Sequence, residues 1–292
     1  MRTAYFNVSD GRHSCFLSVD WILERGSTRS AQLSRDCLPF PDGRPLRTDA
    51  REFMPTPDVS LFLNSLSEDN RNSLLSQSVQ MPLPVGTVLY EAQATPRYAY
   101  FITSGMASVV TAMADGATAE VGVVGREGVI GSLQIMGPAL APTRCFMQLE
   151  GSGLRISLSE LRKAFGASEE IRERILEFVQ EQTMCLSQIA GCHRLHEAEQ
   201  RLARWLLMVQ DCTQTNLLSL TQEFLGMMLG SRRTTVSAAA GELQGAGLIE
   251  YQRGRIKILD RPRLEAVACD CYPIAKQLYA GLYSQPKRSG IK

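Results

Sequence analysis

The sequence predicts an α+β chain: a strand-rich N-terminal domain, one long helix and a C-terminal winged helix-turn-helix. Three observations carry this reading. Short runs of β-branched and aromatic residues, separated by turn signals, lie between residues 85 and 157; an apolar repeat with steps of four and three runs from Ile171 to Cys192; and between Leu218 and Asp260 stand two helical patterns, a glycine turn and a basic hairpin.

Residues 1–57 contain scattered arginines, prolines and glycines with no sustained periodicity beyond a short apolar group at 16–23. They are expected to be a poorly ordered extension, and Met54 is an alternative start. Residues 59–75 read as a short helical piece. Strand candidates follow at 85–90, 98–103, 106–111, 120–124, 145–149 and 154–157, a spacing that suits a small barrel or sandwich. Gly122, Gly125, Gly128 and Gly131 recur every third residue, but no strand-then-helix phosphate loop follows them, so they read as turns.

Ile171, Ile175, Phe178, Gln182, Cys185, Ile189 and Cys192 repeat at 3.5-residue spacing, flanked by Leu176, Val179 and Leu186. Such a repeat is the seam of a two-helix coiled coil, with Gln182 as a register-setting polar position, and a helix packed on its own barrel gives a similar stripe. The expectation is dimerisation through Ile171, Ile175, Phe178, Gln182, Cys185 and Ile189. Residues 197–210 supply a further amphipathic helix that turns Leu202, Trp205, Leu206 and Val209 inward.

In the C-terminal pattern, Thr221, with Ser219 just upstream, can cap a helix whose Phe224, Leu225, Met228 and Leu229 share one face. Gly230 stops it, since glycine can adopt the left-handed conformation that a sharp reversal demands. Ser231 is the expected cap of the second helix, with Arg232, Arg233, Thr234 and Thr235 in its first turn and Val236, Ala239, Leu243 and Ala246 as an inward stripe. Two arginines at a helix N-terminus oppose the positive end of the backbone dipole by a few tenths of a kcal/mol each, an arrangement that an anionic partner would favour. After Gly245 and Gly247, residues 248–251 and 255–258 read as a two-stranded wing whose Arg253, Arg255 and Lys257 can lie along phosphates. Arg232, Arg233, Thr234, Thr235 and Ser237, with the wing cations, are therefore the expected DNA-binding residues.

Charge supports this division. The formal net charge is only +1, yet residues 217–263 hold seven Lys or Arg against four Asp or Glu, while 169–211 hold five against eight. No run approaches the roughly twenty apolar residues of a membrane span, and the N-terminus lacks an apolar signal segment, so a soluble, cytoplasmic protein without a membrane partner is expected. Eight cysteines in 292 residues do not form a dense disulfide framework. No Ser-His-Asp order, metal triad or carboxylate pair stands out, and His13, His193 and His196 leave few general bases, so neither a catalytic site nor a cofactor is expected.

The order of parts, and above all LTQEFLGMMLGSRRTTVSAAAGELQGAGLIEYQRGRIKI and VGTVLYEAQATPRYAYFITSGMASVV, resembles the Crp/Fnr family of bacterial transcription regulators over residues 58–283. The resemblance implies a cyclic-nucleotide-binding-like β-roll at 58–167, a dimerisation helix at 168–196, a winged helix-turn-helix at 197–283 and a disordered tail at 284–292. Members that bind cyclic nucleotides hold the ribose with a glycine-glutamate pair and the cyclic phosphate with an arginine-led pair. Here Gly131 is followed by Ser132, and Arg144 stands one place late, between Thr143 and Cys145. Both departures count against cyclic AMP, because polar groups of the ligand would be buried unpaired. Arg144 then serves another anion or pairs with a carboxylate such as Glu127.

The family's best-known members carry a glutamate where this chain has Thr234, so their operator is not assumed, and Arg233 matches their base-reading arginine. Some relatives carry an iron-sulfur cluster on closely spaced N-terminal cysteines; Cys15 and Cys37 are far apart, and a cluster is not expected. Cys269 and Cys271 form a close pair, and Cys192, His193 and His196 lie at the junction of two helices; neither group alone completes a metal site, and no metal is expected. His196 reads as a hinge contact. The expected partners are double-stranded DNA, a second copy of the chain, RNA polymerase and a small-molecule effector other than cyclic AMP at Gly131, Ser132 and Arg144. The alternative is a ligand-binding or interaction module whose winged domain binds a protein.

Overall fold

The computed structural model describes residues 2–9, 14–21, 59–113, 118–137, 140–220 and 222–284. The chain divides into two units, 1–54 and 55–292. In the first, the segment expected to lack order contains β1 (Arg2–Ser9) and β2 (Ser14–Trp21), paired antiparallel from Arg2↔Trp21 to Ser9↔Ser14. The rest of the expected extension and the tail from residue 285 onward lie outside the described residues.

The second unit opens with α1 (Leu61–Asn64) and α2 (Glu68–Ser76), two pieces where a single helix was expected over 59–75. Ser60 caps α1 by accepting from the Leu63 amide. The strands are β3 (Ser78–Leu83), β4 (Val88–Tyr90), β5 (Tyr98–Ala112), β6 (Thr118–Val124), β7 (Val129–Ile130) and, after helix α3 (Ser132–Met136), β8 (Thr143–Ser157). They form one sheet in the order β3-β8-β5-β6, with β4 paired to β8 and β7 to β5.

Four of the expected strands are two halves of longer ones. β5 and β8 each run 15 residues and pair with each other, and the register shifts where Gly105 and Gly151 cross. A Cβ at Gly151 would lie 1.9 Å from the Ser104 carbonyl oxygen, and one at Gly105, which has φ of +80°, would lie 2.6 Å from that of Glu150. Only glycine permits this approach, and Gly105 and Gly151 mark bends within two long strands where short separate strands were expected. The fold is the expected β-roll.

α4 (Leu158–Ala167) leads into α5 (Glu169–Leu195), then α6 (Ala198–Thr213), β9 (Leu217–Ser219), α7 (Gln222–Leu229), α8 (Arg233–Gly245), β10 (Ile249–Gln252), β11 (Arg255–Ile258), α9 (Arg261–Val267) and α10 (Cys271–Gly281). Among the described residues two large apolar cores form, beside a small cluster of Cys192, Cys269 and Cys271. One joins the sheet to α1, α2, α4 and the N-terminal half of α5 through Phe62, Phe101, Ile156, Ile171, Ile175 and Phe178. The other centres on Leu202, Trp205 and Leu206 of α6 with α7, α8 and the C-terminal strands, and it also takes in Met106, Val110 and Val123 of the β-domain.

This packing corrects the expected dimer seam. Ile171, Ile175 and Phe178 are at most 1% exposed and Cys185 is 6% exposed, all buried by their own chain. Gln182 donates to the Val123 carbonyl of β6, and Ile189 lines a small cavity together with Glu120 and Trp205. From Ile171 to Gln182 the stripe is the face that α5 turns to its own β-domain, and Cys192 at its end turns to Cys269 and Cys271; a helix packed on a sheet has nearly the same apolar period as a coiled coil.

Candidate nucleic-acid interface

α7 and α8 are joined by Gly230 with φ of +55°, the left-handed residue expected there. The turn is tight: a Cβ at Gly226 would meet the Ser231 carbonyl oxygen at 3.1 Å. Leu225, Met228 and Leu229 of α7 are at most 1% exposed and face Val236, Ala239, Ala240 and Leu243 of α8 in one core. Ala246 is exposed beyond the end of α8, and Ala240 takes the inward place expected for it. Thr221 lies outside the described residues, and Ser219 belongs to β9.

Ser231 is not the cap of α8. Arg232 holds the N-cap position with extended backbone and no side-chain cap bond, and the first turn carries no acidic residue. Ser231 Oγ instead accepts from Arg201 Nη2 at 2.9 Å, while Arg201 Nη1 donates to the Leu229 carbonyl and to His193 Nδ1, each at 3.0 Å. Arginine has no lone pair to offer, so His193 accepts through Nδ1 and carries its proton on Nε2. Burial and the charges of Arg204 and Arg201 push the His193 pKa down, which keeps this imidazole neutral.

With no side-chain cap and no acidic residue in its first turn, the N-terminus of α8 presents the positive dipole end together with the side chains of Arg232, Arg233, Thr234 and Thr235, all exposed. Ser237 is half-buried and bonds back to the Arg233 carbonyl at 2.9 Å. Its hydroxyl proton is engaged there, and its oxygen retains acceptor capacity.

The wing has three strands rather than two: β11 pairs with β10 on one side and β9 on the other. β11 alternates exposed Arg255, buried Ile256, exposed Lys257 and buried Ile258, the in-out pattern read from the sequence. Arg253 and Gly254 form the hairpin turn with φ of +48° and +74°. Positive φ at both central residues defines a tight hairpin turn that matches strand twist, and it costs a non-glycine residue about 1–2 kcal/mol. Arg253 is exposed there. The wing is tied to α8 by the Tyr251 amide donating to Gln244 Oε1 at 2.7 Å, and to the link between β9 and α7 by Tyr251 Oη donating to the Leu220 carbonyl at 3.2 Å.

The β-domain meets this module through a buried polar group that sequence reading missed. Glu120 of β6 accepts from Trp205 Nε1 of α6 at 2.8 Å and from Ser108 Oγ of β5 at 2.5 Å, and Ser108 also touches Met228 Sδ of α7 at 3.6 Å. Burial outweighs these bonds and pushes the Glu120 carboxyl up to about 7. A lone glutamate in a strand gave no signal in the sequence.

The residues expected to bind an effector are dispersed in role. Gly131, with φ of +94°, is the N-cap of α3, and Ser132 begins that helix, buried. Arg144 is exposed on β8 and pairs with Glu91 at 3.2 Å, not with Glu127, whose carboxylate accepts from the Gly125 amide at 2.8 Å. The chain therefore places no carboxylate at position 132, and its candidate anion-binding arginine already faces Glu91. Cys192, His196, Cys269 and Cys271, read as two separate groups, are brought together beside α6.

The family model of the Crp-like helix-turn-helix domain matches residues 200–267, and that of the cyclic nucleotide-binding domain matches residues 80–168. Among solved structures, a transcriptional regulator of the Crp/Fnr family from Eubacterium rectale is 18% identical, with 71% of this chain and 97% of that chain covered and a TM-score of 0.59. FixK2 of Bradyrhizobium japonicum is 16% identical over 66% of this chain and 98% of its own, with a TM-score of 0.56. The c-di-GMP-responsive global regulator CLP of Xanthomonas campestris is also 16% identical, over 66% and 100%, with a TM-score of 0.56. At these identities the likeness is one of fold. No curated protein sequence matches the chain.

Proposed function

Since the chain has the architecture of the Crp/Fnr family of transcriptional regulators, a cyclic nucleotide-binding domain followed by a Crp-like helix-turn-helix, we propose that it is a homodimer that reads a two-fold symmetric DNA site through the N-terminal turn of α8. The observation that carries this reading is the uncapped, acid-free start of α8, which sets Arg232, Arg233, Thr234 and Thr235 in solvent beside a basic wing. Arg233 is assigned to a guanine edge, where a planar fork can bond two acceptors. Arg232, Arg253, Arg255 and Lys257 are assigned to phosphates, which position the reader without reading sequence.

The dimer interface is assigned to the side of α5 opposite the buried stripe. Leu176, Gln180, Thr183, Met184, Ser187 and Ala190 are exposed there, and Leu176, Thr183 and Ala190 recur seven residues apart. The small side chains allow close helix approach, and two such helices would bring the α8 starts into successive major grooves about 34–36 Å apart.

The effector is proposed to be something other than cyclic AMP, in line with Ser132 and with the Arg144–Glu91 pair. RNA polymerase is the proposed partner of the DNA-bound dimer, and the cytoplasm is its proposed place of action; no described helix is long and apolar enough to cross a membrane.

Salt dependence tests the DNA reading. Four phosphate-contacting cations per protomer neutralise about eight phosphates per dimer, so log K against log salt should fall with a slope near −7. A slope near zero would assign the winged domain to a protein partner instead.

A further inference from the structure

Four ligand-type side chains from two stretches of chain, 192–196 and 269–271, converge behind the reading module. Cys192 lies in the last turn of α5, His196 is the C-cap of that helix, and Cys269 and Cys271 flank the junction of α9 and α10. Cys192 Sγ lies 3.5 Å from Cys269 Sγ, and Cys271 Sγ lies 3.5 Å from His196 Nδ1. All four donor atoms are within 4.8 Å of one another, and the cysteines are 1%, 3% and 1% exposed.

The dimensions are those of a single-ion cage. With Zn–S near 2.3 Å, a tetrahedron has sulfur–sulfur edges of about 3.8 Å, close to the separations found. An iron-sulfur cluster needs a wider enclosure, because its irons and bridging sulfides must fit between the protein sulfurs. A disulfide would account for Cys192 and Cys269 but not for the approach of Cys271 and His196.

The surroundings give a second, independent reason. His196 Nε2 lies 3.1 Å from Asp270 Oδ1. A proton on Nε2 satisfies that carboxylate and leaves the Nδ1 lone pair directed at the sulfurs, the carboxylate-histidine arrangement that orients metal-binding imidazoles. Gln188 Nε2 donates to Cys271 Sγ at 3.2 Å, an outer N–H···S contact of the kind that supports a metal-bound sulfur.

We propose that Cys192, His196, Cys269 and Cys271 form a Cys3His site for one divalent ion of the zinc class. Three sulfurs and one imidazole exclude magnesium and calcium, which take oxygen ligands, and four protein ligands leave no open position, so the site is structural. The ion joins the end of α5 to the α9–α10 junction across the start of α6, fixing the helix that precedes the reader. This inference is independent of whether the protein binds DNA.

The full-length protein, reduced and stripped with chelator, is titrated with Co2+ as a spectroscopic probe. One Co2+ per chain is expected, with visible bands of tetrahedral cobalt and an intense near-ultraviolet thiolate-to-cobalt band, both abolished by one equivalent of Zn2+. Asp270→Ala, a substitution of an exposed side chain, should weaken cobalt affinity about 10–100-fold without altering the spectrum. Cys271→Ser should reduce the charge-transfer intensity, and Cys212→Ser, outside the group, should leave both readouts unchanged. A pale octahedral spectrum or no stoichiometric binding in the reduced wild-type protein overturns the proposal. So does an unchanged charge-transfer band in Cys271→Ser, or an Asp270→Ala affinity equal to wild type.

Discussion

Arg201 Nη2 donates to Ser231 Oγ at 2.9 Å, so a residue on the helix before the reader holds the turn that aims it. The same guanidinium reaches His193 on α5 and the Leu229 carbonyl at the end of α7. It thereby joins the long helix, the approach helix and the helix-turn-helix turn in one set of hydrogen bonds. Arg201→Ala would leave buried acceptors without a donor and should destabilise the fold by about 1–3 kcal/mol. Thermal melting measures this, and DNA affinity should fall although Arg201 is assigned no DNA contact. Arg201→Lys, with one donor centre, should fall between the two.

The two arginines at the start of α8 should differ in kind. Arg233→Ala should cost about 1–3 kcal/mol on the selected site and relax preference at one base position in each half-site. Arg232→Ala should weaken all sequences alike and flatten the salt slope by about one unit per protomer. Titrations of specific and scrambled duplexes at several salt concentrations separate them, and equal loss of specificity in both variants would refute the assignment.

Arg253 occupies a left-handed backbone position at the wing tip, with φ of +48°. Arg253→Gly should raise stability by about 1 kcal/mol, since glycine adopts that conformation without a Cβ clash. It should at the same time lower DNA affinity and the salt slope. Opposite signs for melting temperature and affinity would mark the arginine as retained for binding; a loss of both would show that its conformation is not strained.

The buried Glu120 predicts a pH dependence. Its folded pKa of about 7 lies above the usual 4.5 because desolvation disfavours the charged form. Below pH 4.5 the carboxyl is protonated in both states. Between 4.5 and about 7 the unfolded chain releases a proton that the folded chain keeps, so stability falls across this window and stays reduced above it. The loss is on the order of 3 kcal/mol for a shift of this size. Denaturant midpoints between pH 4.5 and 8 should show this decline, and Glu120→Gln should remove most of it. Glu181, also raised to about 7 mainly by burial, contributes a slope of the same sign that the variant retains.

The two faces of α5 should respond differently to substitution. Phe178→Ala opens a cavity in the β-domain core and should cost about 3–5 kcal/mol of stability. Met184→Glu, on a side chain 47% exposed, should leave the folded protomer intact and shift the monomer–dimer equilibrium toward monomer. Sedimentation at several concentrations with parallel melting curves distinguishes them; a Met184→Glu protein with an unchanged dimer constant would place the interface elsewhere.

The helix-turn-helix was legible because local chemistry dictates it: Gly230 can only be a turn, Val236, Ala239 and Leu243 face inward, and β11 alternates as its sequence does. The β-roll was legible as strands but not as long bent ones, because a glycine at a crossing and a glycine in a turn look alike until a partner such as Ser104 or Glu150 is known. The direction of α5 was not legible. Ile171, Ile175 and Phe178 satisfy the same repeat against a sheet as against a second helix, and only the position of the β-domain decides between them. Long-range polar groups were invisible for a related reason: Glu120 meets Trp205, and Cys192 meets Cys269, across 85 and 77 residues. No spacing rule reaches that far. The third wing strand was hidden by its length, since β9 has three residues and no periodicity.

Selection of random duplex DNA by the purified protein, followed by sequencing of the enriched pool, tests the central claim most directly. The account predicts a two-fold symmetric motif with half-sites one helical turn apart, enriched by the wild-type chain and lost with Arg233→Ala. A dimeric wild-type protein that enriches no sequence, with the same retention of DNA by the Arg233→Ala variant, would contradict it.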